Sequence, residues 1–279
     1  MTITRAYKFR LYPTKEQEHL INSFIGTSRF VYNHYLYQNN NKKFFNYFDA
    51  SKTLKNLKEE NEWLKEVDGC LVQNALKDLD KAYLNYNKGQ SGYPKFKKKS
   101  LNGSYRTTAI RSSYKGREYC NIEIDINKRI IKLPKLKEVK IRGYRNLKEF
   151  PYKILNATIS KESNRYYISI CCEVNIEEKE TTIINTIGLD LGVKTLVTTS
   201  DGDKYDKIDI SKEEKRIVKL NRKLARQIKG SNNYNKTIIK LEREYQKIRN
   251  KRKYITHEIT STISIRKIFN MLDDCLPKK

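Results

Sequence analysis

A chain of 279 residues with 38% hydrophobic side chains has enough mass and apolar bulk for one large domain or two to three small ones, which excludes disorder as its general state. Its 58 Lys+Arg against 32 Asp+Glu give a net charge of +26, the balance of a chain that meets a polyanion, with nucleic acid the first candidate and an anionic membrane surface the second. No run approaches the roughly 18 apolar residues of a spanning helix, and Met1–Leu11 alternates instead of carrying an apolar leader, so the expected location is the cytoplasm.

Residues 3–11, "ITRAYKFRL", read as a strand. A turn at Pro13 follows, and Thr14 with Gln17 has capping-box spacing, which predicts a helix start. Leu20, Ile21 and Phe24, then Phe30, Val31, Tyr35 and Leu36, keep helical steps on both sides of "GTS", so two helices bent at residues 26–28 are expected. From Ala50 to Tyr86 the apolar steps are helical again, through Leu54, Leu57, Leu64, Leu71, Ala75, Leu79 and Tyr83. Residues 13–92 therefore read as a helical lobe.

At "NKGQSGYPKFKKKS" (87–100) Gly, Pro and Lys end the helix and open a loop. Strand-formers follow. "NIEIDI" alternates, "RIIKLP" and "EVKIRGY" come next, and "NATIS" with "RYYISICCEV" predicts a hairpin turning at "KESN". Residues 93–180 thus form a small antiparallel β module, β-barrel-like, that the strand at 1–12 can join. "NIEEKETTI" is an acidic link beyond it.

In "TIGLDLGVKTLVTTSDG" (186–202) an aspartate, Asp190, sits inside the most strand-like apolar run of the chain. A carboxylate there either points to the wet face of a half-buried sheet, with Leu189 and Leu191 on the other face, or is neutralised by a cation such as a divalent metal. Two further strands, around Thr195–Thr199 and Tyr205, complete three antiparallel strands in a row. The period then turns helical, with one stripe at Ile217, Leu220, Leu224 and Ile228, a turn at "GSNN", and a second stripe at Ile238, Leu241, Tyr245, Ile248, Ile255 and Ile259. This predicts a helical hairpin over 212–260, and its first 42 residues, Lys212 to Lys253, carry 16 Lys+Arg against 4 Asp+Glu.

Among the candidate binding residues, Lys95, Lys97, Lys98 and Lys99 of "PKFKKKS" and Arg222, Lys223 and Arg226 of the hairpin can neutralise phosphates, or form a solvated basic surface. Gln73 and Lys77 lie one turn apart on one helix face, and Gln suits bidentate contact with adenine; a surface helix without base contact fits the same spacing. Cys70, Cys120, Cys171, Cys172 and Cys275 are scattered and contain no C-x-x-C pair, so neither a disulfide framework nor a zinc site is expected. His19, His34 and His257 have no carboxylate or cysteine partner at ligand spacing.

"GLDLGVKTLVTTSDG" resembles the first nuclease motif of RuvC-type, RNase H-like domains, and specifically that of the TnpB (OrfB) proteins encoded by bacterial insertion sequences. "RAYKFRLYPTKEQEHLINSFIGTSRFVYNHYL", "GYPKFKKK", "SYRTT" and "KLARQIKGSNNYNKTIIKLEREYQKIRNKRKYITHEIT" are similar to successive stretches of the same family, so the resemblance covers about residues 3–260. It implies an α+β chain: a discontinuous β module (1–12 with 93–180), an inserted helical recognition lobe (13–92), and an incomplete RNase H-like α/β domain (181–279). It implies guide RNA and DNA as partners, base pairing as the reader of the target, and Mg²⁺ held between carboxylates. By resemblance Asp190 is the first metal-binding, catalytic carboxylate, Gly192 the glycine of the turn beside the phosphate, and the helix of Gln73 and Lys77 the reader of a short flanking motif, with Tyr105 and Arg106 nearby.

The family pattern continues with a glutamate strand, a zinc-binding four-cysteine insert and a last aspartate. "STISIRKIFNMLDDCLPKK" stands where the glutamate strand is expected and does not match it, with Asp273 or Asp274 as possible stand-ins. Three outcomes follow in order: a truncated nuclease that has lost cleavage, a nuclease-dead RNA-guided DNA binder, and a weakly active enzyme using Asp273 or Asp274. An uncovered apolar face is expected in the last hundred residues.

Overall fold

Alternation along β1 (Thr2–Tyr12) turns Tyr7, Phe9 and Leu11 into the core and leaves Arg5, Lys8 and Tyr12 outside it. In the computed structural model, which describes residues 2–40, 42–114, 117–143, 152–175 and 187–274, this strand lies inside a sheet and not at its edge. Side chains at 114, 117, 118, 152 and 263–274 fall outside the description, as do the acidic link beyond residue 175 and Cys275. The chain divides into two units, Met1–Glu178 and Lys179–Lys279.

The first unit holds a seven-stranded antiparallel sheet. Its members are β1, β2 (Gly103–Thr108), β5 (Glu123–Asp125), β6 (Ile130–Leu133), β7 (Lys137–Arg142), β8 (Tyr152–Glu162) and β9 (Arg165–Asn175), in the order β2-β8-β9-β1-β7-β6-β5. A separate hairpin pairs β3 (Arg111–Tyr114) with β4 (Arg117–Cys120). The register aligns one core row across four strands, with Tyr105 opposite Ile159, Ile159 opposite Ile168 and Ile168 opposite Phe9. Each of these four side chains is buried. The β8–β9 turn falls at Ser163 and Asn164, both with positive φ (49° and 66°), the geometry whose twist suits a two-residue hairpin. The expected turn at "KESN" is therefore present, and the N-terminal strand does join the module.

Three α-helices stand between β1 and β2: α1 (Lys15–Gln38), α2 (Tyr47–Glu60) and α3 (Gly69–Asn87), with a 3-10 turn at Glu62–Lys65. The Thr14–Gln17 capping box forms in both directions, and the Gln17 Nε2 also donates to the carbonyls of Leu136 (3.0 Å) and Glu138 (2.8 Å), tying the start of α1 to the β6–β7 connection. The two helices expected on either side of 26–28 are one: α1 continues through Gly26. A helical Gly weakens a helix by about 1 kcal/mol relative to Ala, and here the buried stripe Ile21, Phe24, Ser28, Val31 and Tyr35 crosses it without a break. The helical pattern read from Ala50 to Tyr86 is in turn interrupted, because Asn61 leaves helical geometry and Asp68 caps a new helix by accepting from the Cys70 N–H at 3.1 Å.

α3 docks on β2 through a polar seam. The Asp68 carboxylate, 8% exposed, accepts from the Thr107 hydroxyl, which is itself 1% exposed. The Asn74 Nδ2 donates to the Arg106 carbonyl at 3.0 Å and to the Thr108 Oγ1 at 3.1 Å. Apolar residues of α3, among them Leu71, Leu76 and Leu79, fill the core beside it.

The second unit contains a three-stranded antiparallel sheet, β10 (Leu189–Asp190), β11 (Thr195–Thr199) and β12 (Lys204–Asp206), followed by α4 (Ser211–Ala225) and α5 (Asn232–Asp274). The strand order and the hairpin agree with the sequence reading. Ile217 of α4 and Ile248 and Ile259 of α5 are buried, whereas Ile228 lies in the turn and is 83% exposed, outside the stripe assigned to it. α5 runs to Asp274, so the described part of the segment where a glutamate-bearing strand is expected, residues 261–274, is helical.

Replacing Thr107 by Val keeps the shape of the side chain and removes its hydroxyl, leaving the buried Asp68 carboxylate short of a donor. Urea unfolding of Thr107→Val is expected to show a loss of about 1–3 kcal/mol. An unchanged midpoint would show that this bond contributes nothing to stability.

Candidate nucleic-acid interface

Inward burial of Val72, Asn74, Ala75, Leu76 and Leu79 leaves Gln73 and Lys77 exposed together on the outer face of α3. The Lys77 Nζ stands 5.5 Å from the centre of the Tyr47 ring, a contact that draws it toward the N-terminus of α2. The pair thus shares one helix face, with a cation beside an amide that has both donor and acceptor capacity.

The 94–100 loop is fastened to α1. Asn33 makes a two-bond clamp on the Lys97 main chain, accepting from its N–H at 2.8 Å and donating to its carbonyl at 2.9 Å. The Lys97 Nζ lies 3.9 Å from the centre of the Tyr32 ring. Although the residue as a whole is exposed, burial of its ammonium end pushes the Lys97 pKa down; Asp78 opposes this shift and Arg106 adds to it. Arg106 donates to the Asp78 Oδ1 at 2.7 Å, both groups being part-exposed. Lys97 and Arg106, distant in sequence and both expected at a nucleic-acid contact, are therefore brought around the same carboxylate. Lys95, Lys98 and Lys99 are exposed on the loop.

Tyr105 requires a correction. The alternation of β2 turns it inward, where it is 4% exposed and packs edge-on against Phe24 with ring centres 5.5 Å apart. Burial drives its hydroxyl pKa upward. It is a core residue of the sheet, and its neighbour Arg106 alone faces outward. Asn33 and Asp78, which orient Lys97 and Arg106, carry no motif of their own, and only their positions on the faces of α1 and α3 mark them in the sequence.

In the second unit, Asp190 lies in the two-residue strand β10, opposite Thr198, and is exposed. Leu189 (51%), Leu191 (76%) and Val193 (88%) are exposed as well, so the expected division into a wet and a greasy face is not realised in β10. Gly192 is a close approach: a Cβ there would stand 2.7 Å from the Thr195 carbonyl oxygen, so the turn into β11 excludes any side chain. Among the described residues no three His, Cys, Asp or Glu side chains gather, and the Asp273 and Asp274 side chains lie outside the description. The described residues therefore do not by themselves fit a Mg²⁺ site. Cys70, Cys120 and Cys171 are part-buried and Cys172 is buried, all as free thiols.

The hairpin sorts its charges. Glu213 and Glu244, with side chains 9% and 13% exposed, sit at the α4–α5 contact and accept from Lys251 at 2.8 Å and from Lys247 at 2.6 Å respectively. Arg222 and Lys223 are exposed on α4 and Arg226 is exposed just past its end, and none of the three joins an ion pair among the described residues. Among the described residues no helix is long and apolar enough to cross a membrane.

Two family models match this sequence, a helix-turn-helix domain (HTH_OrfB_IS605) over residues 1–42 and a "probable transposase" (OrfB_IS605) over residues 169–272. The InsQ protein of Escherichia coli (strain K12), named as an RNA-guided DNA endonuclease, is 30% identical over 278 residues, 97% of this chain and 66% of InsQ. A Streptomyces pristinaespiralis protein with the same description is 28% identical over 272 residues, 94% of this chain and 64% of that protein. A chain of a Cas12f1-sgRNA-target DNA complex aligns with 90% of this chain and 76% of its own length at a TM-score of 0.43 and 12% identity. The chain belongs to the TnpB (OrfB) family, and it spans about two thirds of the length of the curated relatives it matches. Despite the name of the first family model, residues 2–38 fold as one strand and one uninterrupted helix.

Hydrogen bonding from Lys251 holds the Glu213 carboxyl below the usual glutamate range. A folded pKa below the unfolded one stabilises the hairpin only while the carboxylate is ionised. That contribution is complete above the unfolded value of about 4.3 and is lost as pH falls through the lower folded value. Hydrogen exchange over 211–225, corrected for its intrinsic pH dependence, is therefore expected to be faster in Glu213→Gln than in the wild type near neutrality, and the gap should close in acid. A gap that persists unchanged in acid would remove the ion pair as its cause.

Proposed function

We propose that this chain is an RNA-guided DNA-binding protein of a mobile element, in which a guide RNA reads the target by base pairing and the protein reads a short flanking motif. One observation carries the reading: identity to InsQ runs along 97% of the chain, through both units. The helical insertion acts as the recognition lobe, with Gln73 and Lys77 toward the flanking duplex, where a Gln amide can pair with an adenine edge in the major groove. Lys95, Lys97, Lys98, Lys99 and Arg106, together with Arg222, Lys223 and Arg226, contact phosphates and hold the strands without sequence preference. The partners are guide RNA and DNA, and the protein works in the cytoplasm.

The seven-stranded module (1–12 with 93–180) is read as barrel-like, and β10–β12 with α4 as the opening part of an RNase H-like domain over 181–279. Asp190 is its first carboxylate. A two-metal hydrolysis needs several carboxylates around the cations, and no three gather among the described residues, so these residues are read as holding the matched duplex without cutting it. The second reading, a weak nuclease, rests on the exposed position of Asp190 and on Asp273 or Asp274 as its partners. Mg²⁺ belongs to that reading.

The test is retention of DNA on the purified chain carrying the RNA that co-purifies with it from cells holding its own flanking DNA. A duplex matched to that RNA is expected to be retained intact in the presence of Mg²⁺, and an unmatched duplex to be released. Equal retention of both would sink guided binding. Cutting of the matched duplex that disappears in Asp190→Ala would establish the nuclease reading in its place.

A further inference from the structure

Between α1 and the segment that enters β2 lies a cavity of about 330 Å³, lined by Ser28, Arg29, Lys97, Lys98, Asn102 and Ser104. We propose that this cavity seats one backbone phosphodiester of a nucleic-acid strand, held by the Arg29 and Lys98 side chains with the Ser28 and Ser104 hydroxyls as neutral donors. The assignment rests on the nucleic-acid reading above and adds to it a site and its chemistry.

Three cations and two hydroxyls meet there without a carboxylate in the lining. Arg29 is half-buried and joins no ion pair among the described residues, so its guanidinium keeps its forked donors for a ligand. Lys97 is already ordered by the Asn33 clamp and the Tyr32 ring, so its immobilisation on binding adds little entropic penalty. The floor depends on Gly103. A Cβ at that position would stand 2.6 Å from the Ile25 Cγ2, so the glycine lets β2 approach α1 closely enough to form the pocket.

Cations continue on both sides of the cavity. Lys161, opposite Gly103 in the β2–β8 ladder, donates to the Asn22 Oδ1 at 2.8 Å, and Arg106 stands beyond Lys97 at Asp78. The α1 anchors of this line, Asn22, Arg29 and Asn33, run over eleven residues, about 16 Å at the helical rise. A row of this length suits successive phosphates of a strand better than one free anion.

The test compares Arg29→Gln/Lys98→Gln with Lys55→Gln/Lys65→Gln, which removes the same charge from the exposed surface of the other helical segments. Affinity of the full chain for a labelled oligonucleotide is measured across a salt series. The pocket variant is expected to bind more weakly and to lose about 1–2 from the slope of log affinity on log salt, the control to change much less, and Arg29→Lys to keep the slope but bind more weakly than wild type, since the charge stays and the fork is lost. Equal losses in the two double variants, or an unchanged slope in the first, would overturn the pocket while leaving nucleic-acid binding in place. Failure of the wild type to bind any oligonucleotide would instead overturn the function and the pocket's assignment together. Inorganic phosphate at constant ionic strength supplies the remaining arm. If it binds the wild type and not the pocket variant while both hold the oligonucleotide equally, the cavity is a free-anion site.

Discussion

The bond between Asp68 and Thr107 is the point from which the rest of the first unit is registered. Apolar packing between α3 and the sheet is non-directional and would tolerate rotation or sliding of the helix. A buried carboxylate does not, because it must meet its donors or remain uncompensated. With Asp68 on Thr107, Asn74 reaches the Arg106 carbonyl and Asp78 reaches the Arg106 side chain, so three residues of one helix address three consecutive residues of one strand. Helical geometry then decides where their neighbours point. Gln73 and Lys77 each precede a seam residue by about 100° of rotation, which turns both to the surface. The basic group at Lys97 and Arg106 is a consequence of the same seam, since Asp78 orients the arginine and attracts the lysine.

Local signals were legible where the chain satisfies its own polar groups nearby. Thr14 and Gln17 close a capping box within one turn, and the β8–β9 turn at 163–164 falls inside the four residues read as a turn, 161–164. Signals that depend on distant contacts were not. Gly26 reads as a break, yet Ile21, Phe24 and Val31 on both sides of it are buried in one apolar core, which keeps α1 whole. Tyr105 is placed with Arg106 near the interface by the family resemblance of "SYRTT". Its side is set by the register of β2 on β8, which the hexapeptide "GSYRTT" does not encode. The candidate interface was legible in its lysines and in the Gln73–Lys77 face. Asn33, Asp78 and Arg29 were hidden, because nothing in the sequence brings residues 29 and 33 to residues 97 and 98 except the fold.

Charge is sorted differently in the second unit. Two of the four acids between Lys212 and Lys253 are at the helix contact, where low exposure strengthens their attraction to Lys251 and Lys247. The surplus of cations is thereby left on the outer surface of α4, where repulsion among exposed like charges is screened by salt and relieved by any polyanion that displaces it. An interior of paired carboxylates and an exterior of cations are held in one hairpin whose helices also bury apolar side chains, Ile217 on α4 and Ile248 on α5.

Asp190 shows how a burial argument depends on a layer the sequence does not contain. Alternation in "GLDLGV" implies a costly carboxylate only if Leu189 and Leu191 are covered, since the cost arises from low dielectric on every side. In the described residues both leucines are exposed and so is Asp190, so its charge is stabilised by solvent and requires no counter-ion. Of the two alternatives the sequence leaves open, the neutralising cation is not demanded by these surroundings. What remains for a metal role is the family motif and the turn at Gly192, where the Thr195 carbonyl comes too close for any side chain. That turn fixes the direction of the Asp190 backbone whatever later covers β10. The sheet therefore presents Asp190 exposed on its edge strand β10, where further acidic side chains could join it.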